Sequence, residues 1–291
     1  MITITGASGK IGSKTAIQLL ENGKDVRVVG RNAKSLETLK KSGAEIVAGN
    51  MNDVNFLNKA FTNTEAVLLM LPPDKDALDF GAFQDEIGEA QVKAIVNAGV
   101  KNVVFISSQG AHDIVHTGTV KGLGRHEIRL NKLPADVNVL SIRAEGFMEN
   151  CIESLKLFNT IATPLRPDVS TGLIATNDIA CFTAERLLKP DFAGKNHQDL
   201  LGDRDYVQTE IATIVGEAIG RPELKYIQYS YEEYNNALLK AGISQNRSNL
   251  ITERYKAIND GYFNKGIRNE SSTTKTSLAY FAKAVLKPMF G

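Results

Sequence analysis

Four β-branched residues, Ile2–Thr5, run without a break into Gly6-Ala-Ser-Gly9-Lys-Ile-Gly12, and an amphipathic stretch follows at once. β-Branched side chains favour a pleated backbone. Immediately downstream, Ile11, Thr15 and Leu19 fall on one helical row, with Ala16 and Leu20 beside it. A chain that passes from strand to helix through glycines in its first dozen residues is building a β–α unit. The rhythm continues, with strand-like runs at Ile2–Thr5, Val26–Val29, Glu45–Ala48, Val67–Leu71, Val103–Ile106 and Val139–Ile142 separated by helix-period segments. Gly23 suits a helix end that needs positive φ, and Asp53 suits a helix cap. Ile87 through Ala98 predicts a longer helix, with Gly99 ending it. Such alternation predicts a parallel sheet whose right-handed crossovers place helices on both faces. The expected fold class is therefore α/β, a Rossmann-type doubly wound parallel sheet with a smaller, mostly helical C-terminal substrate domain.

The expected boundary falls near residue 150. Residues 1–150 form the dinucleotide-binding half and residues 151–291 the smaller cap, with some segments returning to the main sheet. Helical patterns dominate the second part (Asp178–Leu188, Thr209–Ile219, Tyr231–Ala241, Leu250–Ile258, Ser277–Leu286), with strand-like pieces at Leu200–Leu201 and Leu224–Tyr229. Asn264–Thr276 reads as a polar loop. All eight tyrosines lie at or after Tyr206, so the halves differ in composition too.

Composition removes several function classes. Lys plus Arg number 34 against 33 Asp plus Glu, which offers no broad attraction for nucleic acid or an anionic membrane. Cys151 and Cys181 sit in apolar helical patterns and read as reduced core residues, not a disulfide or metal site. Apolar runs such as Ala66–Leu71 are strand-length, far short of a membrane span. Strand residues already at position 2 leave no room for a leader peptide, so the expected location is the cytoplasm.

The glycine run carries the first chemical expectation. Gly6 permits a tight turn, Gly9 lets backbone approach a pyrophosphate, and Gly12 lets the helix pack on the strand. Gly6, Ala7, Ser8, Gly9, Lys10, Ile11 and Gly12 are thus expected to wrap a dinucleotide diphosphate at a helix N-terminus. The end of the second strand speaks to which dinucleotide. Selectivity for NAD usually places Asp or Glu there to bind the ribose hydroxyls. This chain reads Val29-Gly-Arg31-Asn32-Ala-Lys34, a guanidinium able to clamp a 2′-phosphate with Asn32 and Lys34 beside it. NADP(H) is therefore expected over NAD(H), although Arg31 and Lys34 also fit solvated charges at a helix start. Asn50-Met51 and Leu71-Pro72 fall where adenine and its ribose would lie, or form ordinary turns.

Together with Gly30-Arg-Asn32, the stretches Phe105-Ile-Ser-Ser108, Arg143-Ala-Glu-Gly-Phe-Met-Glu-Asn150, Asn177-Asp-Ile-Ala180 and Gly202-Asp203 make the chain resemble the NmrA-like family, a branch of atypical short-chain dehydrogenases/reductases. Within it the chain looks most similar to the type 2 NADPH-dependent quinone oxidoreductases. The resemblance implies NADP(H) in a cleft between a Rossmann domain and a small substrate domain, with Ser107 and Ser108 near the nicotinamide and Glu149-Asn150 opening onto the cleft, although an exposed helix-start pair also explains Glu149-Asn150.

One departure narrows the chemistry. Short-chain dehydrogenases typically use Tyr-x-x-x-Lys, yet no tyrosine precedes Tyr206. Counting from Glu127, the position of the expected lysine holds Leu123, with Lys121 and Arg125 two residues to either side. Candidates for proton handling are Ser107, Ser108, Arg125 and His126, the last also explicable as a surface residue. Reducing an ordinary ketone needs a positioned acid, whereas a reduced quinone is a delocalised oxyanion that neutral donors can stabilise. The expectation is an oxidoreductase passing hydride to a quinone or similar electron-poor small molecule. The alternative is a non-catalytic NADP(H) redox sensor that binds a regulatory protein partner. A homodimer fits either.

Other features invite weaker readings. Gln109–Gly124 is long and glycine-rich, as a lid over the nicotinamide would be. His112 and His116 have helical spacing but lack further ligands, so no metal is expected. Tyr226, Tyr229, Tyr231 and Tyr234 suit either an aromatic pocket or cap-domain packing.

Overall fold

The computed structural model describes residues 1–263 and 266–291. The first part runs β1 (Ile2–Thr5), α1 (Lys10–Glu21), β2 (Val26–Gly30), α2 (Glu37–Lys41), β3 (Glu45–Ala48), α3 (Val54–Ala60), β4 (Ala66–Leu69), α4 (Phe80–Ala98), β5 (Asn102–Ser108), α5 (Lys121–Leu130) and β6 (Asn138–Ala144). There follow β7 (Gly146–Phe147), α6 (Asn150–Phe158), β8 (Ile161–Thr163), β9 (Ser170–Ile174), α7 (Thr176–Leu188), β10 (Lys195–Leu200), β11 (Asp205–Val207), α8 (Gln208–Ala218) and β12 (Tyr226–Gln228). Helices α9 (Tyr231–Lys240), α10 (Gln245–Asn259), α11 (Leu278–Phe281) and α12 (Lys287–Phe290) close the chain.

The seven-stranded sheet has the order β10-β6-β5-β4-β1-β2-β3, and every pairing in it is parallel. The chain starts at β1, winds outward to β3, then returns past β1 to β4. That reversal leaves a crevice at the carboxyl ends of β1 and β4, the place where open α/β sheets bind ligands. Ile2, Ile4, Val28, Leu68 and Val104 pack on one face against Ile11, Leu19, Ile179 and Leu187 of α1 and α7. Val67, Leu69, Val103 and Phe105 face Leu57, Ile87, Ile95 and Leu130 of α3, α4 and α5 on the other. Both faces of the central strands are buried, which explains their continuous apolar runs.

Thr176–Leu200 lies in the main layers, since α7 packs beside α1 and β10 pairs with β6. Strand β10 extends well before Leu200–Leu201, the only strand-like piece expected there. As an edge strand with Asn196 and His197 exposed it carries no apolar run. The remaining C-terminal elements enclose their own core of Met148, Leu155, Ile161, Tyr206, Ile211, Val215, Leu278 and Phe281, around the small sheets β11-β9-β7 and β12-β8. Helix α4 starts earlier than the expected Ile87, because Asp79 Oδ1 accepts from Ala82 N at 2.9 Å and caps it at Phe80. Of the expected loop Asn264–Thr276, residues 264 and 265 lie outside the described residues. Beyond them, Thr274 N donates to Leu201 O at 2.8 Å, which ties that segment to the end of β10.

Candidate functional site

Gly6 opens the β1–α1 turn at φ +62°, where a side chain would also overlap the Met70 thioether. Gly9 N donates back to Gly6 O at 2.9 Å, and Ala7 N bonds Val29 O of β2 at 3.2 Å. A Cβ on Gly12 would stand 2.7 Å from Gly6 O and 3.0 Å from the Ala7 Cα. Gly12 therefore lets the helix close on the turn itself rather than on the strand. No side chain caps α1 and no acid lies in its first turn, so the helix end presents backbone N–H groups and a positive dipole end. Ala7 and Ile11 point into the core and can offer only backbone, while Ser8, Gly9 and Lys10 are exposed.

The neighbouring β2 end is charged. The Arg31 side chain is 61% exposed and meets Asp74 Oδ2 at 3.4 Å, from the loop after β4. Asn32 caps the turn Ala33–Leu36, its Oδ1 accepting from Lys34 N at 2.9 Å. Lys34 is exposed on that turn. Lys10 reaches the other way, to Glu153 of α6 at 3.5 Å. Asn50 is exposed after β3, whereas the Met51 side chain is buried with Leu57 and Phe61 in the second core. Leu71 is buried and Pro72 half-buried at the mouth of the crevice.

At the end of β5 the buried Ser107 hydroxyl donates to Glu127 Oε1 on α5. Arg143 of β6 grips the same carboxylate, its Nε 3.1 and 3.2 Å from the two oxygens and its Nη2 on Oε2. Ser107, Arg143 and Asp199 are register partners across β5, β6 and β10, so their side chains point to one face. Beyond them lies a cavity of about 360 Å³ lined by Gln109, His112, Arg143, His197, Asp199 and Ile267. Gln109 Nε2 joins its walls, bonding Arg143 O at 3.1 Å and Asp199 Oδ1 at 2.8 Å. Ser108 is half-buried at the same strand end.

Two proton-handling candidates are placed elsewhere. Arg125 is committed to Asp85 of α4, its Nε 2.9 and 3.1 Å from the carboxylate oxygens. His126 is not the surface residue that sequence allows. It is wholly buried, edge-on to Phe105 at 4.7 Å, with neither ring nitrogen hydrogen-bonded. Burial, then the nearby Arg129 charge, pushes its pKa down to about 3, with Asp85 opposing. Glu149 is likewise buried rather than an exposed helix-start residue, because its carboxylate accepts from Thr176 N and the Thr176 hydroxyl at the head of α7.

The long β5–α5 connection is braced. Asp113 Oδ1 accepts from Val115 N and His116 N at 2.7 and 2.9 Å, and those bonds with the His116 ring hold its pKa at about 2. The His116 imidazole stacks on Tyr262 at 4.2 Å, so His112 and His116 serve different surroundings. Lys121 Nζ bonds both oxygens of Glu253 on α10 at 2.9 Å. Of the tyrosine cluster, Tyr226 and Tyr234 pack the cap: the Tyr226 hydroxyl donates to Leu165 O at 2.7 Å, and Tyr234 stands edge-on to Tyr255 at 5.2 Å.

Sequence reasoning used Glu127 only to count positions and assigned nothing to Arg143 or Asp74. No local signal marks Arg143, because its place beside Ser107 is set only when β5 pairs with β6.

The NmrA-like family model matches residues 1–283. The chain belongs to the NmrA-like family. An uncharacterized oxidoreductase, YesF of Bacillus subtilis (strain 168), is 26% identical over 97% of this chain and 94% of its own length. Among solved structures, the Citrobacter sp. triphenylmethane reductase complexed with NADP(H) superposes with a TM-score of 0.80 at 21% identity, covering 98% of this chain and 99% of its own. The NADPH-dependent quinone oxidoreductase QOR2 from Escherichia coli superposes at 0.77 and 19% identity, over 98% of this chain and 100% of its own. At such identities the superpositions show a shared fold. No helix among the described residues is long and apolar enough to cross a membrane.

Proposed function

We propose that this NmrA-like chain binds NADP(H) across the carboxyl ends of β1, β2, β4 and β5 and passes its hydride to a quinone or similar electron-poor small molecule. The observation that carries the reading is the uncapped α1 N-terminus behind the Gly6–Gly12 turn at the sheet's reversal point, with a guanidinium at the end of β2. Backbone of Gly6, Ala7, Ser8, Gly9, Lys10, Ile11 and Gly12 would hold the diphosphate. Arg31, Asn32 and Lys34 would receive the 2′-phosphate, and Asn50 and Pro72 the adenosine, with the buried Met51 and Leu71 able to offer only backbone there. Ser107 and Ser108 stand at the nicotinamide end. The triphenylmethane reductase and the quinone oxidoreductase, named for NADP(H) and NADPH respectively, support the cofactor class.

Bound NADPH would supply the hydride, and the chain's own residues position the acceptor. Ser107 commits its proton to Glu127, and Arg143 occupies both oxygens of that carboxylate. The trio therefore offers no acid ready to protonate an alkoxide, and the Ser107 proton is already engaged, so donors for a product oxyanion must come from elsewhere at the strand ends. Such a site suits a product whose negative charge is already delocalised. Stopped-flow mixing of protein, NADPH and a quinone panel is expected to show NADPH oxidation above the uncatalysed rate. Tight cofactor binding with no oxidation by any acceptor would instead favour the sensor reading.

Arg31 is largely exposed and shares Asp74, so a phosphate must compete for it. Arg31→Ala is expected to weaken NADPH binding by about 1–3 kcal/mol, the scale of a charged hydrogen bond, and to leave NADH nearly unchanged. Equal losses for both cofactors in calorimetry would make Arg31 structural and reopen the cofactor preference.

A further inference from the structure

The chain has twelve arginines, and ten of them hold a side-chain hydrogen bond or ion pair. Among the described residues Arg247 and Arg254 have neither. Both lie on α10, two turns apart and hence on one face of the helix. Both are partly buried, and the Nε of each is out of solvent with no acceptor, whereas their terminal nitrogens are not among the buried unpaired atoms. Aromatic rings take the place of acids, with Arg247 Cζ 5.4 Å from the Phe80 ring centre and Arg254 Cζ 5.1 Å from that of Tyr255.

Their location is a seam. Ser244, capping α10, donates through N and Oγ to Lys75 O and Ala77 O of the β4–α4 loop at 2.8 and 2.7 Å. Further along, Gly118 of the β5–α5 loop lies so close to Leu250 O and the Arg254 backbone that a Cβ has no room. Helix α10 thus bridges the two loops that rim the carboxyl edge. Asp74 attracts Arg247 from a distance, but its carboxylate is already shared with Arg31 at 3.4 Å.

Taking a guanidinium partly out of water without an acid is unfavourable, and a second like charge adds repulsion. Burial depresses the Arg247 pKa, and Arg254 adds to that while Asp74 opposes it. Leucine or methionine would fill the same space without this cost. Two guanidinium forks on one helical face, each beside an aromatic ring, match the oxygens of a multi-oxygen anion.

We propose that Arg247 and Arg254 form an anion site at the seam between α10 and the two rim loops, taking a phosphate or carboxylate group of a small-molecule ligand. The site stands independently of the dinucleotide reading. Titration with inorganic phosphate, and separately with phthalate as a dicarboxylate, followed by calorimetry at low salt, tests it. Wild type is expected to show saturable binding of at least one of the two. The Arg247→Met/Arg254→Met double variant should lose one site, and each single variant should weaken that site at least tenfold. Lys256→Met, on the same helix but paired with Asp260, should leave it unchanged. The double variant should melt no lower than wild type, because it sheds two unpaired charges. Saturating NADPH separates the sources: if it abolishes the site, a cofactor phosphate is the occupant and its assignment to Arg31, Asn32 and Lys34 fails, and if the site persists, a separate acidic ligand is. Equal stoichiometry and affinity in wild type and double variant, or no saturable binding of either anion, would overturn the proposal.

Discussion

Gly12→Val is expected to reduce NADPH affinity by more than a hundredfold, to below calorimetric detection. Even the first carbon of the new side chain would stand 2.7 Å from Gly6 O and 3.0 Å from the Ala7 Cα, both backbone atoms of the turn. Backbone cannot rotate aside as a flexible side chain can, so the turn must move away from the helix. The N–H groups of the turn and the first helical turn then no longer converge on one diphosphate. Overpacking of this kind costs about 1–3 kcal/mol of stability, so the variant should remain folded with a modestly lower Tm. Circular dichroism with a matched NADPH titration separates the effects. A folded variant that binds NADPH like wild type would show that the turn does not hold the cofactor.

The second large effect is on acid stability and comes from His126. A histidine in the unfolded chain takes up a proton below about pH 6.5. The folded one stays neutral until about 3, held down first by burial and then by Arg129. The folded-state pKa is depressed, so the unfolded state binds the extra proton between these values. Stability is complete above about pH 6.5 and falls as pH drops towards 3, at about 1.4 kcal/mol per unit. His126→Leu removes this proton uptake. It also removes two ring nitrogens that have no partner, so near pH 7.5 it should be at least as stable as wild type. By pH 5 the variant should lead by a further 2 kcal/mol or so. Denaturant unfolding of both proteins at several values between pH 7.5 and 5 reads the difference directly. Parallel stability curves would mean that His126 is not a buried neutral imidazole.

Much of this architecture was legible in the sequence because it rests on local pattern. Buried parallel strands read as Ile2–Thr5 or Val103–Ile106 whatever surrounds them, and the glycine spacing marks the turn before α1. What stayed hidden depends on contacts between distant segments. Lys195–Leu200 has no apolar run, since a polar edge strand is defined by its neighbour β6 rather than by its own residues. Glu127 and Arg143 become partners only through the register of β5 and β6 and the docking of α5. His126 looks solvated in its charged surroundings, yet the absence of a side chain at Gly88 lets it turn inward, its Nδ1 coming within 2.7 Å of where a Cβ would be. Met51 and Asp74 invert each other: the first falls at the expected adenosine position but is buried, while the second, unremarked, faces Arg31.

Isothermal titration of the purified chain with NADPH and with NADH tests the central claim most directly. A saturable one-to-one isotherm for NADPH, tighter than that for NADH, is the predicted result. Absence of heat with both nucleotides, from protein shown to be folded, would contradict it.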